Sequence, residues 1–106
     1  MYVAKQNTNH LLMQRYVVAY DISNDKSRRK VGEALEAFGK RVNYSVFEIQ
    51  VKSKSQKNAL EDELLKLLKP KEDSLRFYSI CQSCVENSWS LGDESAPFEQ
   101  SDIYFF

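Results

Sequence analysis

Three observations predict an α+β layer in which an antiparallel sheet carries two helices on one face. β-branched and aromatic runs occur at 15–22, 42–51 and 75–81. Two segments with apolar residues at three- and four-residue steps lie between them, and short right-handed crossovers join such pieces. With 106 residues, 42% hydrophobic and 28% charged, the chain suffices for one core and is too short for two ordinary domains. The order strand, helix, strands, helix, strand is the split βαββαβ layout of a ferredoxin-like domain. A core domain over 15–92 follows, with 1–14 as an extension and 93–106 as a docking tail.

Residues 1–14 lack a period and hold the only histidine, His10, so nothing catalytic is expected there. Arg15 to Ile22 has the composition of a central strand. Ser23-Asn24-Asp25 supplies turn chemistry and an N-cap, and Val31, Ala34, Leu35 and Phe38 continue as a helix that Gly39 closes. Val42 to Val51 is long for one strand, and a bend near Ser45 to Glu48 would divide it, although neither Gly nor Pro marks the break. Ser55 caps a second helix with Leu60, Leu64, Leu67 and Leu68 as its stripe, ended by Lys69-Pro70. Leu75 to Cys81 is a further strand, and Val85 to Leu91 is read as an edge strand. Helices on one side leave the other bare. Tyr16, Val18, Tyr20, Phe77 and similar residues are not expected all to point toward the helices, which would leave a large apolar area on the bare face for a symmetric dimer to cover.

No run nears the roughly 18 apolar residues of a spanning helix, which predicts a cytoplasmic protein with no membrane partner. Cys81 and Cys84 are too few for a disulfide framework and are read as reduced thiols; a structural zinc site wants four ligands, and two more are missing. Net charge is zero, but all 15 basic residues precede residue 77, leaving residues 1–76 at +5 and the last 30 at −5. Phe98, Ile103, Tyr104, Phe105 and Phe106 in that acidic tail suggest docking as an added strand on a second protomer or a partner. Walker loops, dinucleotide glycine patterns and Ser-His-Asp sets are excluded by three glycines and one histidine.

Asp21 ends an otherwise apolar strand, where sites accumulate in open sheets. Two readings stand: an Asx-turn residue leading into the helix, or an oxygen ligand for a hard cation such as Mg²⁺. In a two-fold dimer, Asp21 of each chain would pair into a site that neither has alone. Lys26, Arg28, Arg29, Lys30, Lys40 and Arg41 bracket the first helix and give 26–41 a balance of +4, either as a solvated face or as a phosphate-binding patch. Arg28 and Arg29 stand near Asp21 in the chain, at a helix start, where arginine clamps phosphate.

Tyr20-Asp21-Ile22, Arg28-Arg29-Lys30-Val31, Gly39-Lys40-Arg41-Val42-Asn43-Tyr44-Ser45-Val46-Phe47-Glu48 and Asp73-Ser74-Leu75-Arg76-Phe77-Tyr78 with Cys81 resemble the CRISPR-associated Cas-two family over about residues 15–92. The resemblance implies a ferredoxin-like homodimer whose Asp21 binds Mg²⁺ or Mn²⁺ at the interface. It also implies that Arg28, Arg41 and Phe47 serve nuclease activity or nucleic-acid contact, with Ser45 in the same motif, and that the 42–51 segment is broken. Members are metal-dependent endonucleases acting on single-stranded RNA or duplex DNA, or scaffolds that bridge Cas-one integrase dimers in spacer acquisition. Two departures stand out: Asn43 replaces a common glutamine, and residues 1–14 precede the usual start. A toxin-type ribonuclease of the same fold is a further alternative.

Overall fold

The computed structural model describes residues 13–92 and 96–98. Its elements are β1 (Gln14–Asp21), α1 (Asp25–Glu36), β2 (Gly39–Asn43), β3 (Val46–Val51), α2 (Lys54–Leu65), β4 (Ser74–Ile80) and a short α3 (Gln82–Glu86). The strands form one antiparallel sheet in the order β2-β3-β1-β4, the ferredoxin-like arrangement. β1 is central, paired with β3 from Gln14↔Val51 to Ala19↔Val46 and with β4 from Arg15↔Ile80 to Asp21↔Ser74. No described helix is long and apolar enough to cross a membrane.

Every second residue of β1 enters the core. Tyr16, Val18 and Tyr20 pack with Phe47, Ile49 and Val51 of β3, with Val31 and Leu35 of α1, and with Leu60 and Leu64 of α2. Phe77 packs against the same cluster and meets the Tyr16 ring edge-on at 5.6 Å. The bare-face expectation for Tyr16, Val18, Tyr20 and Phe77 is therefore overturned: all four lie under the helices. The outer face instead presents Val17, Ala19, Val46 and Ile80, half-buried, and Tyr78, exposed. β1 hid its alternation because both of its sides are largely apolar.

The caps explain where the elements begin. Asn24 Oδ1 accepts the Ser27 N–H at 2.9 Å and opens α1. α2 opens at Ser53 rather than Ser55: Ser53 Oγ accepts the Gln56 N–H at 3.0 Å, and Gln56 Oε1 accepts the Lys52 N–H at 2.7 Å. The Ser-x-x-Gln spacing is that of a capping box, with the glutamine reaching one residue further back than usual, to the N–H before the N-cap. Leu67 and Leu68 fall beyond the helix yet still pack on the core.

α1 ends at Glu36, with Ala37 as its C-cap, so Gly39 does not close it. Gly39 opens β2 opposite Ile49, and a Cβ there would stand 1.9 Å from the Glu48 carbonyl oxygen. Its glycine serves close approach of two backbones. The break in 42–51 falls at Tyr44-Ser45, a two-residue turn, preceded by a register shift between Arg41 and Asn43.

The expected edge strand over Val85–Leu91 is absent. Val85 N–H bonds the Cys81 carbonyl at 3.0 Å and Asn87 N–H bonds that of Ser83 at 3.1 Å, a helical pattern that buries Val85 and leaves Trp89 and Leu91 exposed. Val85, Trp89 and Leu91 sit at even spacing, which reads as a strand, but no neighbouring strand among the described residues pairs with them. Phe98, which has a positive φ, is buried against the chain's own sheet: its N–H donates to Glu48 Oε1 at 2.7 Å and its carbonyl accepts from Gln50 Nε2 at 3.4 Å. The docking expected for Ile103 to Phe106, like the extension over 1–12, lies outside the described residues.

Candidate functional site

Antiparallel pairing brings four pieces to one end of the sheet: the last residue of β1, the start of α1, the β2–β3 turn and the start of β4. Asp21 pairs across to Ser74, and the Tyr20 N–H donates to the Ser45 carbonyl at 3.1 Å, holding the turn beside the strand end. Asp21 is exposed, and among the described residues no hydrogen bond or ion pair engages its carboxylate.

The structural work near Asp21 is done by others. Asn24 caps α1, while Asp73 accepts from the Ser23 N–H at 3.4 Å with one oxygen and from the Lys69 N–H at 2.9 Å with the other. An Asx-turn role for Asp21 therefore has no counterpart here. Asp25 does not cap the helix either; it forms an ion pair with Arg28.

Arg28 is committed twice, to Asp25 and through Nη1 to the Ile22 carbonyl at 2.9 Å, which folds it over the β1–α1 connection. Lys26, Arg29 and Lys30 are exposed on α1, with Arg29 3.9 Å from Glu33. Lys40 is not part of that group. It pairs with Glu48 in register on the outer face of the sheet, away from the helices, and makes an interaction of its own. The basic residues that are neighbours in the chain therefore divide between two sides of the sheet.

Arg41 extends along the helix side. Its guanidinium lies 4.9 Å from the Phe47 ring centroid, and its Nη1 donates to the Tyr44 carbonyl and to the Tyr20 hydroxyl, 3.4 Å away. Phe47 is wholly buried and stacks with Tyr20 at 6.3 Å between centroids. Gly32 makes room for this arrangement, because a Cβ there would come within 2.8 Å of Arg41 Nη2. Gly32 was not singled out from the sequence; a glycine in mid-helix, which costs about 1 kcal/mol relative to alanine, was the available signal. Only the contact to the Tyr20 hydroxyl is long-range, 21 residues from Arg41 in the chain, and so has no local signal; Tyr44 is engaged three residues from Arg41, through its backbone carbonyl.

Among the described residues no group of three or more His, Cys, Asp or Glu side chains could hold a metal ion. Among the described residues Asp21 is an unclaimed hard-oxygen donor, and Mg²⁺ keeps several waters around one or two carboxylates, so Asp21 fits as one ligand of such an ion. Its surroundings, with Arg28, the α1 start and the β2–β3 turn close by, suit an anionic ligand.

The class of protein is thus a ferredoxin-like domain with an exposed strand-end carboxylate beside a first helix that carries Lys26, Arg28, Arg29 and Lys30. Residues 13–88 match the family described as CRISPR associated protein Cas2, and the chain belongs to that family. It is 51% identical over 65 residues to a CRISPR-associated endoribonuclease Cas2 of Synechocystis sp., covering 61% of this chain and 70% of that protein. It is 40% identical over 90 residues to a CRISPR-associated endoribonuclease Cas2 of Chloroflexus aurantiacus, covering 84% and 96%. Among solved structures, Streptococcus pyogenes Cas2 superposes with a TM-score of 0.65 at 28% identity, over 74% of this chain and 99% of that one. A chain of a partial Cas6-RT-Cas1–Cas2 complex superposes with a TM-score of 0.66 at 30% identity, covering 82% and 92%.

Proposed function

We propose that this chain acts in CRISPR adaptation as a homodimer that binds nucleic acid, assembles with the Cas1 integrase and hydrolyses phosphodiesters at a site centred on Asp21. The observation that carries the reading is the free carboxylate at the end of β1, whose possible structural duties Asp73 and Asn24 already perform. The similarity to a chain of a Cas1–Cas2 complex supports the integrase as partner. The half-buried outer face, with Val17, Ala19, Val46 and Ile80 uncovered by any described helix, supports a second copy as the other.

Asp21 and the partner's Asp21 would hold a Mg²⁺ or Mn²⁺ ion, which when bound would supply positive charge at the scissile phosphate and acidify water. The chain's own residues do the rest. Arg28, Arg29, Lys26 and Lys30 attract and orient the phosphate backbone along α1. Arg41 holds the β2–β3 turn through the Tyr44 carbonyl, the Tyr20 N–H holds the Ser45 carbonyl beside the strand end, and Phe47 acts as a positioning residue beneath the guanidinium. Lys40 extends phosphate contact to the outer face.

The test is hydrolysis of single-stranded RNA and duplex DNA by the purified protein with Mg²⁺, with EDTA and with Asp21→Ala. Activity that falls to background under both chelation and substitution supports the site; activity that survives Asp21→Ala sinks it. A second reading, a non-catalytic scaffold bridging integrase dimers, is favoured by the engagement of Arg28 with Asp25 and Ile22, which reduces its charge available to phosphate. It predicts no hydrolysis on either substrate, with duplex and integrase binding unchanged by Asp21→Ala.

A further inference from the structure

At the opposite end of the sheet, where Arg15 pairs with Ile80, the chain leaves β4 into α3 and places two exposed cysteines on its first turn. Cys81 is the N-cap of α3 and Cys84 follows one turn later, with their sulfurs 3.4 Å apart. Both side chains are exposed and both are free thiols. A disulfide needs the sulfurs about 1.4 Å closer. The scaffold beneath them is firm: Val85 is buried, Gln82 Oε1 accepts from Arg15 Nη1 at 2.8 Å, and Ser88 Oγ donates to the Cys84 carbonyl. Asp21 lies six residues along β1, roughly 20 Å away, so nothing here depends on the phosphodiester site.

We propose that Cys81 and Cys84 form a thiol–disulfide exchange site for low-molecular-weight disulfides, with Cys81 as the attacking sulfur and Cys84 as the resolving one. The asymmetry comes from the surroundings. Ser83 Oγ lies 3.3 Å from Cys81 Sγ, and the Cys84 thiol is its other near neighbour, whereas among the described residues the Cys84 sulfur has Cys81 alone as a hydrogen-bond partner. Hydrogen bonding from the Ser83 hydroxyl first, then from the Cys84 backbone and thiol, holds the Cys81 thiol down to about 7, while the neighbouring Cys81 sulfur pushes Cys84 up.

The steps balance. The Cys81 thiolate attacks a small-molecule disulfide, forming a mixed disulfide and expelling one thiolate; Cys84 then loses its proton and attacks Cys81 Sγ, expelling the second. Two protein thiols are oxidised and one disulfide is reduced to two thiols. The product closes a four-residue ring across the first turn of α3, just before the segment that carries exposed Trp89 and Leu91.

The full chain is equilibrated with oxidised and reduced glutathione, quenched with acid and analysed by intact mass and non-reducing gels, with Cys81→Ser and Cys84→Ser in parallel. The expected results are an intramolecular disulfide in the parent chain, a stable mixed disulfide with glutathione in Cys84→Ser, and roughly tenfold slower adduct formation in Cys81→Ser. Three results each overturn the proposal: a parent chain that stays fully reduced in oxidised glutathione, oxidation only between chains, or equal adduct rates in the two variants. Both side chains are exposed, and unchanged circular dichroism verifies that the serine variants fold.

Discussion

Tyr16, Val18 and Tyr20 lie on the side of β1 beneath the helices and are at most 7% exposed, whereas Asp21, one step further along the strand, is exposed and unengaged. Asp73 sits at the same end of the sheet and spends both carboxylate oxygens on backbone N–H groups. One strand thus holds the core with its interior and leaves an exposed carboxylate at its tip, while at the same sheet end Asp73 holds backbone in place and Asp21, among the described residues, bonds nothing. The fold and the proposed chemistry are separated over a single residue step, and graded substitutions test how clean that separation is.

The largest effect is expected at Phe47, which the resemblance placed among functional residues and the fold places at the centre of the core. Phe47→Ala should cost about 3–5 kcal/mol, read as a large fall in thermal midpoint together with loss of any binding. A small stability loss with full loss of binding would instead make Phe47 a contact residue and break the comparison. Gly39→Ala comes next, at about 1–3 kcal/mol, because the new Cβ meets backbone rather than a flexible side chain. A neutral outcome in urea titration would mean that β2 slides without cost. Asp73→Ala should cost about 1 kcal/mol through two weakened backbone partners.

The element order was legible because hydrophobic period and composition are local properties: both long helices, the central strand, the Val46–Val51 strand and the Ser74–Ile80 strand stand where their residues indicated, whereas the Gly39–Asn43 strand begins three residues before the run that composition marked, and Asp21 stood out as one acid in an apolar run. What was not legible depends on register and tertiary partners. The sides of β1 could not be told apart, since Val17 and Ala19 are as apolar a pair as a core side would carry. Gly39 looks like a helix stop until Glu48 lies beside it. Val85, Trp89 and Leu91 alternate as a strand does, yet without a neighbouring strand the local helical bonds prevail. The committed state of Arg28 arises from Asp25 and the Ile22 carbonyl, and no charge count along the chain contains it.

Gly32→Ala separates folding from function at Arg41. The alanine removes the roughly 1 kcal/mol cost of a mid-helix glycine, and the atom its Cβ would crowd, at 2.8 Å, is Arg41 Nη2, the far end of a long side chain. Stability should hold or rise by up to about 1 kcal/mol while the guanidinium leaves its stack on Phe47. If Arg41 contacts phosphate, the salt dependence of duplex-DNA binding should flatten by about one counterion. An unchanged slope would leave Arg41 only the task of holding the Tyr44 carbonyl.

Asp21→Asn should have the smallest effect on folding and is therefore the sharpest probe of the contrast with Asp73. The substitution keeps the shape of the side chain and removes its charge, and no described partner is lost, so the change should stay within about 0.5 kcal/mol. Removing an isolated carboxylate beside Arg28 and the α1 N-terminus takes away attraction of only a few tenths of a kcal/mol at physiological salt. A loss above about 1 kcal/mol in chemical denaturation would mean that Asp21 carries structure after all. Retained stability together with lost Mg²⁺-dependent hydrolysis would instead show that its freedom from the fold is what leaves it available to a ligand.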